Sequence, residues 1–202
     1  MKRLMIVLVV LATATTAMSQ GKFSLGVKLG YNANKLSSDL DSIKAGMKNT
    51  FQVGAYARIS LGKKAYLQPE IAYQLTKGDI NNPLHAYSAR NYTLNTIKVP
   101  LLFGYKILDL KIANVRVMGG PAFSYYLDKK LDDVKQGEFW PIKSSSDLKN
   151  SMWSAQLGVG ADVLAFSLDI RYDVGISNIY KGNSDLKLRN NMFNVSLGYK
   201  IL

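Results

Sequence analysis

Several segments of this sequence alternate between apolar and polar residues, and acidic and basic side chains fall on the polar positions. In residues 166–176, for example, Asp169, Arg171 and Asp173 alternate with bulky apolar residues. Nine charged residues share this kind of placement: Lys28, Arg58, Glu70, Lys98, Arg116, Asp162, Asp169, Arg171 and Asp173. If these segments enclose a space, opposite charges inside it should pair, because an unpaired buried charge is strongly destabilising. The pattern therefore predicts a polar network that fills the interior of the fold.

A second interpretation gives the same residues a ligand. Lys106 and Lys200 fall on the same face by the same alternation, which brings the predicted interior to seven basic and four acidic residues. This surplus of positive charge favours an anion as the solute of a narrow pore or the ligand of a small binding site. Glu70, Asp169 and Arg171 are the residues whose substitution would test this alternative first.

Residues suited to catalysis or metal binding are sparse. The only histidine is His85, and no residue near it or near Ser88 supplies the base and orienting group that a nucleophile requires. A lone histidine without a partner at ligand spacing does not indicate a metal site. The chain also has no cysteine for metal binding or a disulfide. The sequence therefore predicts no enzyme activity, no metal site and no cofactor.

Strand periodicity explains where the charges fall. Side chains alternate between the two faces of a β-strand. Eight segments have one apolar and one polar face in this way: 23–31, 51–61, 67–75, 97–107, 115–125, 153–163, 166–176 and 193–201. Most of them are long enough to cross a membrane when tilted, which takes about 9–11 residues. No segment after the N-terminus approaches the roughly 20 apolar residues of a transmembrane helix.

The N-terminus has the features of a secretory signal peptide. A basic start, Lys2-Arg3, precedes a short apolar core at residues 4–12, and the small residues Ala17 and Ser19 stand where a cleavage site before Gln20 requires them. We predict that residues 1–19 are removed and that residues 20–202 form one domain. An uncleaved N-terminal anchor is the alternative, but no stop-transfer flank follows the apolar core.

The connections between the predicted strands alternate between long and short. The long ones are 32–50, 77–91, 127–151 and 177–189, and the short ones are 62–64, 108–111 and 164–165. Outer-membrane barrels have short periplasmic turns and longer extracellular loops, whereas a soluble lipocalin-like binder has no reason to sort its loops this way. The sequence therefore predicts an all-β, eight-stranded antiparallel transmembrane barrel of up-and-down topology in the outer membrane.

The predicted loops carry residues suited to interactions outside the cell. The longest loop contains Phe139, Trp140 and Ile142, an apolar cluster that predicts either a docking patch or a segment folded over the barrel mouth. Loop lysines predict contact with anionic lipopolysaccharide. Aromatic residues near predicted strand ends form the expected interfacial girdles: Tyr31, Tyr66, Tyr73, Tyr92, Tyr105, Tyr125, Trp153, Tyr172 and Tyr199. The net charge of +12 does not indicate nucleic acid, which an exported barrel does not meet.

Short motifs occur on the predicted strands in a defined order: LQPEIAY at 67–73, IKVPLL at 97–102, GGPAFSY at 119–125, RYDVGI at 171–176 and LGY at 197–199. They resemble those of the PorT-type outer-membrane β-barrel proteins of Bacteroidetes, and the resemblance covers nearly all of the predicted mature chain. It implies a small eight-stranded barrel in a Gram-negative cell envelope, and the family's namesake implies an accessory role in protein secretion. One departure is the C-terminus, Ile201-Leu202, where the barrel-assembly machinery commonly reads an aromatic residue.

These observations predict a monomeric, non-enzymatic outer-membrane protein with a structural or interaction role in the cell envelope, exerted through its extracellular loops. The predicted partners are outer-membrane lipid, lipopolysaccharide, the barrel-assembly machinery, and secretion or envelope proteins. Two alternatives stay open at this point. One is an accessory component of protein secretion across the outer membrane, and the other is a narrow anion pore or small-ligand binder.

Overall fold

The chain forms a closed barrel in the computed structural model, which describes residues 23–38, 48–81, 89–110, 112–131, 149–177 and 188–202. The strands are β1 (Phe23–Ser38), β2 (Lys48–Ser60), β3 (Ala65–Asn81), β4 (Ala89–Asp109), β5 (Ala113–Leu131), β6 (Ser151–Val163), β7 (Phe166–Gly175) and β8 (Leu188–Lys200). Each strand pairs antiparallel with the next one, and β1 also pairs with β8. The predicted eight-stranded up-and-down barrel is confirmed. Among the described residues, no helix is long and apolar enough to cross a membrane.

The strands present apolar residues outward and mostly polar residues inward, and a few apolar side chains such as Leu102 and Met118 are also buried in the interior. On β7, Ser167, Asp169 and Arg171 are buried, whereas Leu168 and Ile170 between them are exposed. The outward surface consists of large aliphatic and aromatic side chains along all eight strands. Exposing such a band to water would be unfavourable by about 25 cal/mol for each Å² of apolar surface. The barrel exterior is therefore suited to lipid, and the predicted orientation of the two faces is confirmed.

The pairing of β1 with β8 leaves the sheet without a free edge. A membrane-spanning strand needs partners on both sides, because lipid cannot hydrogen-bond to exposed N–H and C=O groups. The β4–β5 ladder contains two register shifts, one between Asn95 and Thr96 and one between Lys106 and Leu108. Irregularities of this kind bend a strand locally and increase its twist, which helps the two longest strands follow the wall of a narrow barrel.

The two ends of the barrel differ in their connections. The short connections 61–64, 110–112 and 164–165 lie together with the C-terminus at one end, which we call the short-turn end. The connections 39–47, 82–88, 132–150 and 176–187 leave from the opposite end, which we call the long-loop end. Most residues of these long connections are outside the described part of the chain.

Seven of the eight strands extend further toward the long-loop end than the apolar alternation predicts, and four of them do so by six residues or more. β1 reaches Ser38, β3 reaches Asn81, β4 begins at Ala89 and β5 ends at Leu131, all within segments that the sequence assigned to loops. Those predicted loop boundaries are wrong because backbone N–H and C=O groups pair regardless of the side chains they carry. Apolar alternation marks only the lipid-facing part of a strand, and the ladder continues beyond it.

Candidate functional site

The nine charged residues predicted to face the interior lie in the lumen of the barrel. Eight of them are buried, and the ninth, Arg58, has a side chain that is 12% exposed. Every strand except β8 contributes at least one of these residues. Because the alternation is local to each strand and the barrel closes the strands into a ring, their inward faces converge on one narrow space.

A cluster of two cations and two carboxylates crosses the centre of the lumen. Lys28 Nζ lies 2.6 Å from Glu70 Oε1 and 3.1 Å from Asp169 Oδ2. Arg171 Nη1 lies 3.0 Å from Glu70 Oε2, and its Nη2 lies 3.4 Å from Asp169 Oδ2. These residues come from β1, β3 and β7, so their ion pairs connect opposite walls of the barrel. We call this group the central cluster.

Two arginines extend the central cluster toward the short-turn end. Arg116 Nη2 lies 2.5 Å from Asp169 Oδ1 and 3.0 Å from Asp162 Oδ1. Arg58 Nη1 donates to Asp162 Oδ2 at 2.7 Å, and its Nε donates to Gln68 Oε1 at 2.8 Å. The result is a continuous chain of alternating charges from the middle of the lumen to its short-turn end.

Toward the long-loop end the charges give way to neutral groups. A separate ion pair joins Lys98 Nζ to Asp173 Oδ2 at 2.6 Å. Beyond it lies an amide layer in which Gln52 Oε1 accepts hydrogen bonds from Gln74 Nε2 at 2.7 Å and from Asn32 Nδ2 at 3.3 Å. Asn194 Nδ2 donates to Asn32 Oδ1 and completes this amide layer. Further out, Tyr126 and Met152 pack together with Leu94.

The predicted excess of seven basic over four acidic residues in the lumen is too large. Lys106 is only partly buried and pairs with Asp109 at 3.2 Å, and Lys200 is exposed. Both residues keep the inward phase of their strands, but they lie at the short-turn end, where the lumen opens to solvent. Without these two, the described lumen holds five basic and four acidic residues instead of seven and four. The basis for favouring an anion is correspondingly weaker.

One tyrosine predicted for the interfacial girdle lies inside the barrel. Tyr66 is buried, its ring centroid lies 5.0 Å from the guanidinium carbon of Arg58, and its ring occupies the space that a side chain at Gly104 would need. The girdle assignment is wrong because β3 begins at Ala65, earlier than the predicted strand, and Tyr66 has the same inward phase as Gln68.

Sequence reasoning also omitted Asn32 from the lumen. This residue is fully buried, yet it follows the last apolar residue of the predicted first strand and was assigned to a loop. Asn32 and Tyr66 share one signal that was available in the sequence. Each continues the inward phase of its strand immediately beyond the predicted end, so extending the alternation by one or two residues would have included both.

The chemistry of the lumen is pairing between fixed charges. Each of its four carboxylates lies within 4.0 Å of at least one cation, which leaves none of them free as a general acid or base. Asp162 Oδ1 lies within ion-pair distance of Arg116 but lacks hydrogen-bond geometry. Over the described residues, no group of three or more His, Cys, Asp and Glu side chains is arranged to hold a metal ion.

Several predicted features lie outside the described residues. They are the signal peptide at residues 1–19, the loop histidine His85, and the apolar loop cluster of Phe139, Trp140 and Ile142. The cleavage site before Gln20 and the loop docking patch therefore stay predictions.

Solved structures with the same architecture include two outer-membrane proteins. The chain is 12% identical to OprG of Pseudomonas aeruginosa, with a TM-score of 0.56 and coverage of 89% of this chain and 95% of that one. It is 13% identical to Neisserial surface protein A, with a TM-score of 0.52 and coverage of 88% and 97%. At these identities the likeness shows the fold alone. No curated protein matches the chain significantly.

The family of the chain follows from its sequence profile. A family model described as an outer membrane protein beta-barrel domain matches residues 16–181, which is most of the 202-residue chain. The closed sheet, its apolar exterior and its polar interior agree with that description. The chain belongs to this outer-membrane β-barrel family, and the protein resides in the outer membrane.

Proposed function

We propose that this protein is a closed, non-enzymatic barrel that serves the cell envelope through its extracellular loops, as a structural or interaction protein. The observation that carries this proposal is the central cluster, because its ion pairs connect opposite walls and occupy the bore. Barrels of eight strands have interiors just wide enough for side chains to fill. A solute would have to break several buried ion pairs to pass, and each broken pair leaves an uncompensated charge in a poorly solvated space.

We assign the function to the long loops because of where outer-membrane barrels place their connections. Outer-membrane barrels place their short turns in the periplasm and their longer loops outside the cell. The barrel wall is occupied by lipid contact on one face and by the lumen network on the other, which leaves the long loops as the surface for partners outside the cell. The apolar residues Phe139, Trp140 and Ile142 and the loop lysines are the proposed contacts for an envelope protein and for lipopolysaccharide.

The test is the conductance of the mature chain, residues 20–202, refolded into a planar lipid bilayer. We expect no discrete channel openings, because the lumen network is intact. Folding of each sample is checked by the shift between unboiled and boiled protein on a denaturing gel. Discrete conductance in folded wild-type protein that changes with Arg171→Ala or Lys98→Ala would overturn the closed-barrel proposal and favour the narrow anion pore.

An accessory role in protein secretion is the second candidate, supported by the resemblance of the strand motifs to PorT-type proteins. Two residues of the LQPEIAY motif, Gln68 and Glu70, hydrogen-bond to each other in the lumen at 2.6 Å. Both residues are part of the polar filling of the barrel, which accounts for their presence in the motif. The motif therefore does not favour secretion over another envelope role. Deletion of the gene separates the candidates, because a secretion accessory leaves exported cargo in the periplasm, whereas a structural barrel does not.

A further inference from the structure

The short turns of this barrel carry large apolar residues at their tips. Leu61 begins the β2–β3 turn, Leu110 and Ile112 flank the β4–β5 turn, and Leu164 opens the β6–β7 turn. All four are more than half exposed, and Ile112 and Leu164 reach 67% and 71%. Turns that face water are dominated by Gly, Pro, Asn, Asp and Ser. We call these four residues the apolar rim.

Leu164 adds a conformational anomaly to this composition. It has φ 54° and is the only non-glycine residue with positive φ among the described residues. Left-handed backbone disfavours a residue with a bulky side chain, and two-residue hairpin turns normally use Asn, Asp or Gly there. Neither the backbone conformation nor burial within the barrel favours a leucine at this position. A contact outside the barrel would account for it.

Backbone hydrogen bonds hold the turns in place. Leu164 N donates to Ile112 O at 2.9 Å, which joins the β6–β7 turn to the β4–β5 turn. Lys106 N donates to Lys64 O at 3.0 Å, and Lys200 N donates to Ala165 O at 2.7 Å. These bonds tie each turn to a neighbouring turn or strand, and in this arrangement the four side chains of the apolar rim are exposed.

The apolar rim continues the lipid-facing surface. β7 has 10 residues with an outward apolar face. At about 3.3 Å per residue and a tilt of about 40°, such a strand spans about 25 Å along the membrane normal, which is the usual height of the apolar band. Leu164 precedes the first residue of this strand, Phe166, by two positions. This places Leu164 at the boundary between the acyl chains and the headgroups of the periplasmic leaflet.

Exposed cations lie beside the apolar rim. Lys63 and Lys64 follow Leu61 in the β2–β3 turn, and Lys200 ends β8 near the same level. The exposed acidic residue described at this end, Asp109, pairs with Lys106, and Asp162 is buried in the lumen. Apolar side chains at acyl-chain depth with lysines next to them match the chemistry of an anionic phospholipid surface, because ammonium groups attract headgroup phosphates.

From these observations we propose that the short-turn end is inserted into the headgroup layer of the periplasmic leaflet, where the apolar rim contacts acyl chains and Lys63, Lys64 and Lys200 bind anionic phospholipid. This assigns an interaction surface to the end of the barrel opposite the loops. It is independent of the loop-based function proposed above. A periplasmic protein covering the same rim is the competing occupant, and the experiment distinguishes the two.

The chain has no cysteine, so single cysteines can report depth. Leu164→Cys and Ile112→Cys are labelled with a nitroxide in the mature protein, which is reconstituted into vesicles of equal parts phosphatidylcholine and phosphatidylglycerol. Accessibility to oxygen and to a water-soluble nickel chelate present on both sides is measured by power saturation. Leu168→Cys on the lipid face and Lys149→Cys, exposed at the long-loop end, serve as references.

We expect both rim labels to favour oxygen, as the Leu168→Cys label does, and to exclude the nickel chelate that reaches the Lys149→Cys label. Nickel accessibility at both rim positions, in samples that pass the gel-shift test for folding, would overturn membrane insertion and leave the rim to a protein partner. Intermediate depth at one position only would also contradict the proposal, because the hydrogen bond between Leu164 and Ile112 requires both residues to lie at one level.

The lysines are tested with spin-labelled lipids in the same vesicles. The parent protein should prefer phosphatidylglycerol to phosphatidylcholine. In the double variant Lys63→Gln/Lys64→Gln, each lost lysine should reduce that preference by at most about fivefold at low ionic strength, and by less in higher salt. Lys149→Gln is the matched control and should leave the preference unchanged. No preference in the parent, or equal loss in the control, would overturn the assignment of the phosphate contacts to this end.

Discussion

The two halves of the lumen are filled with different chemistry. In the half that includes the short-turn end, Lys28, Glu70, Asp169 and Arg171 form ion pairs across the bore, and Arg116 extends them. The half nearer the long loops contains the amide layer and, beyond it, a tyrosine packed on a methionine. Both halves are polar, but only the first depends on full charges being matched.

This contrast predicts which half of the lumen tolerates single substitutions. A buried ion pair contributes little relative to apolar residues of the same shape, but breaking it by removing one partner is strongly destabilising. A neutral amide that loses a partner loses a modest hydrogen bond and can adjust its geometry. We therefore expect single substitutions in the charged half to destabilise the barrel strongly and single substitutions in the amide layer to be tolerated.

The largest effect is expected from Asp169→Asn. Asp169 contacts Lys28, Arg116 and Arg171, so removing its charge leaves three buried cations facing too few carboxylates. The free energy of unfolding should fall by about 3–5 kcal/mol. It is measured by urea titration in lipid vesicles. The matched control is Asp109→Asn, which breaks a more exposed pair and should cost less than about 1 kcal/mol. Equal effects in the two variants would refute the special role of the charged half.

Lys98→Met tests the ion pair at the boundary between the two halves. It leaves Asp173 buried with a hydrogen bond from Ser154 but no cation. We expect a loss of about 3 kcal/mol from the free energy of unfolding. The double variant Lys98→Met/Asp173→Asn should recover most of it, because no uncompensated charge remains. If the double variant is as unstable as the sum of the single variants, pairing is not the reason for the loss.

Gly104→Ala tests the packing at the short-turn end. A Cβ at this position would overlap the Tyr66 ring, and moving the ring would disturb its contact with Arg58. Overpacking of this kind costs about 1–3 kcal/mol. Gly198→Ala is the control, because its Cβ would meet its nearest neighbours at 3.3 Å. The penalty of Gly104→Ala should shrink in a Tyr66→Leu background, and a constant penalty would show that the ring is not the obstacle.

The smallest effect is expected from Gln52→Met in the amide layer. The substitution removes the acceptor for Gln74 and Asn32 but introduces no charge imbalance. The free energy of unfolding should fall by about 1 kcal/mol. Urea titration under the conditions used for Asp169→Asn gives the direct comparison. A loss as large as that of Asp169→Asn would remove the distinction between the two halves of the lumen.

The order of the strands, their faces and the alternation of short and long connections could all be read from the sequence. The reason is that side-chain direction in a strand depends only on the parity of the residue, so Asp169 and Arg171 were assigned to the inward face without knowledge of any partner. The apolar partners of that alternation also predicted lipid contact. The inward and outward faces of a strand are local properties, because they depend only on the sequence of that strand.

Which charges meet, and where the lumen ends, was decided by the tertiary structure. The contact between Arg116 and Asp169 joins β5 to β7, and that between Arg171 and Glu70 crosses from β7 to β3. Such pairs depend on the register and tilt with which the sheet closes. The odd or even position of a residue along its own strand does not specify either of them. For the same reason Lys200, although in phase with the lumen, lies beyond its end, because only the closed barrel defines how far the interior extends.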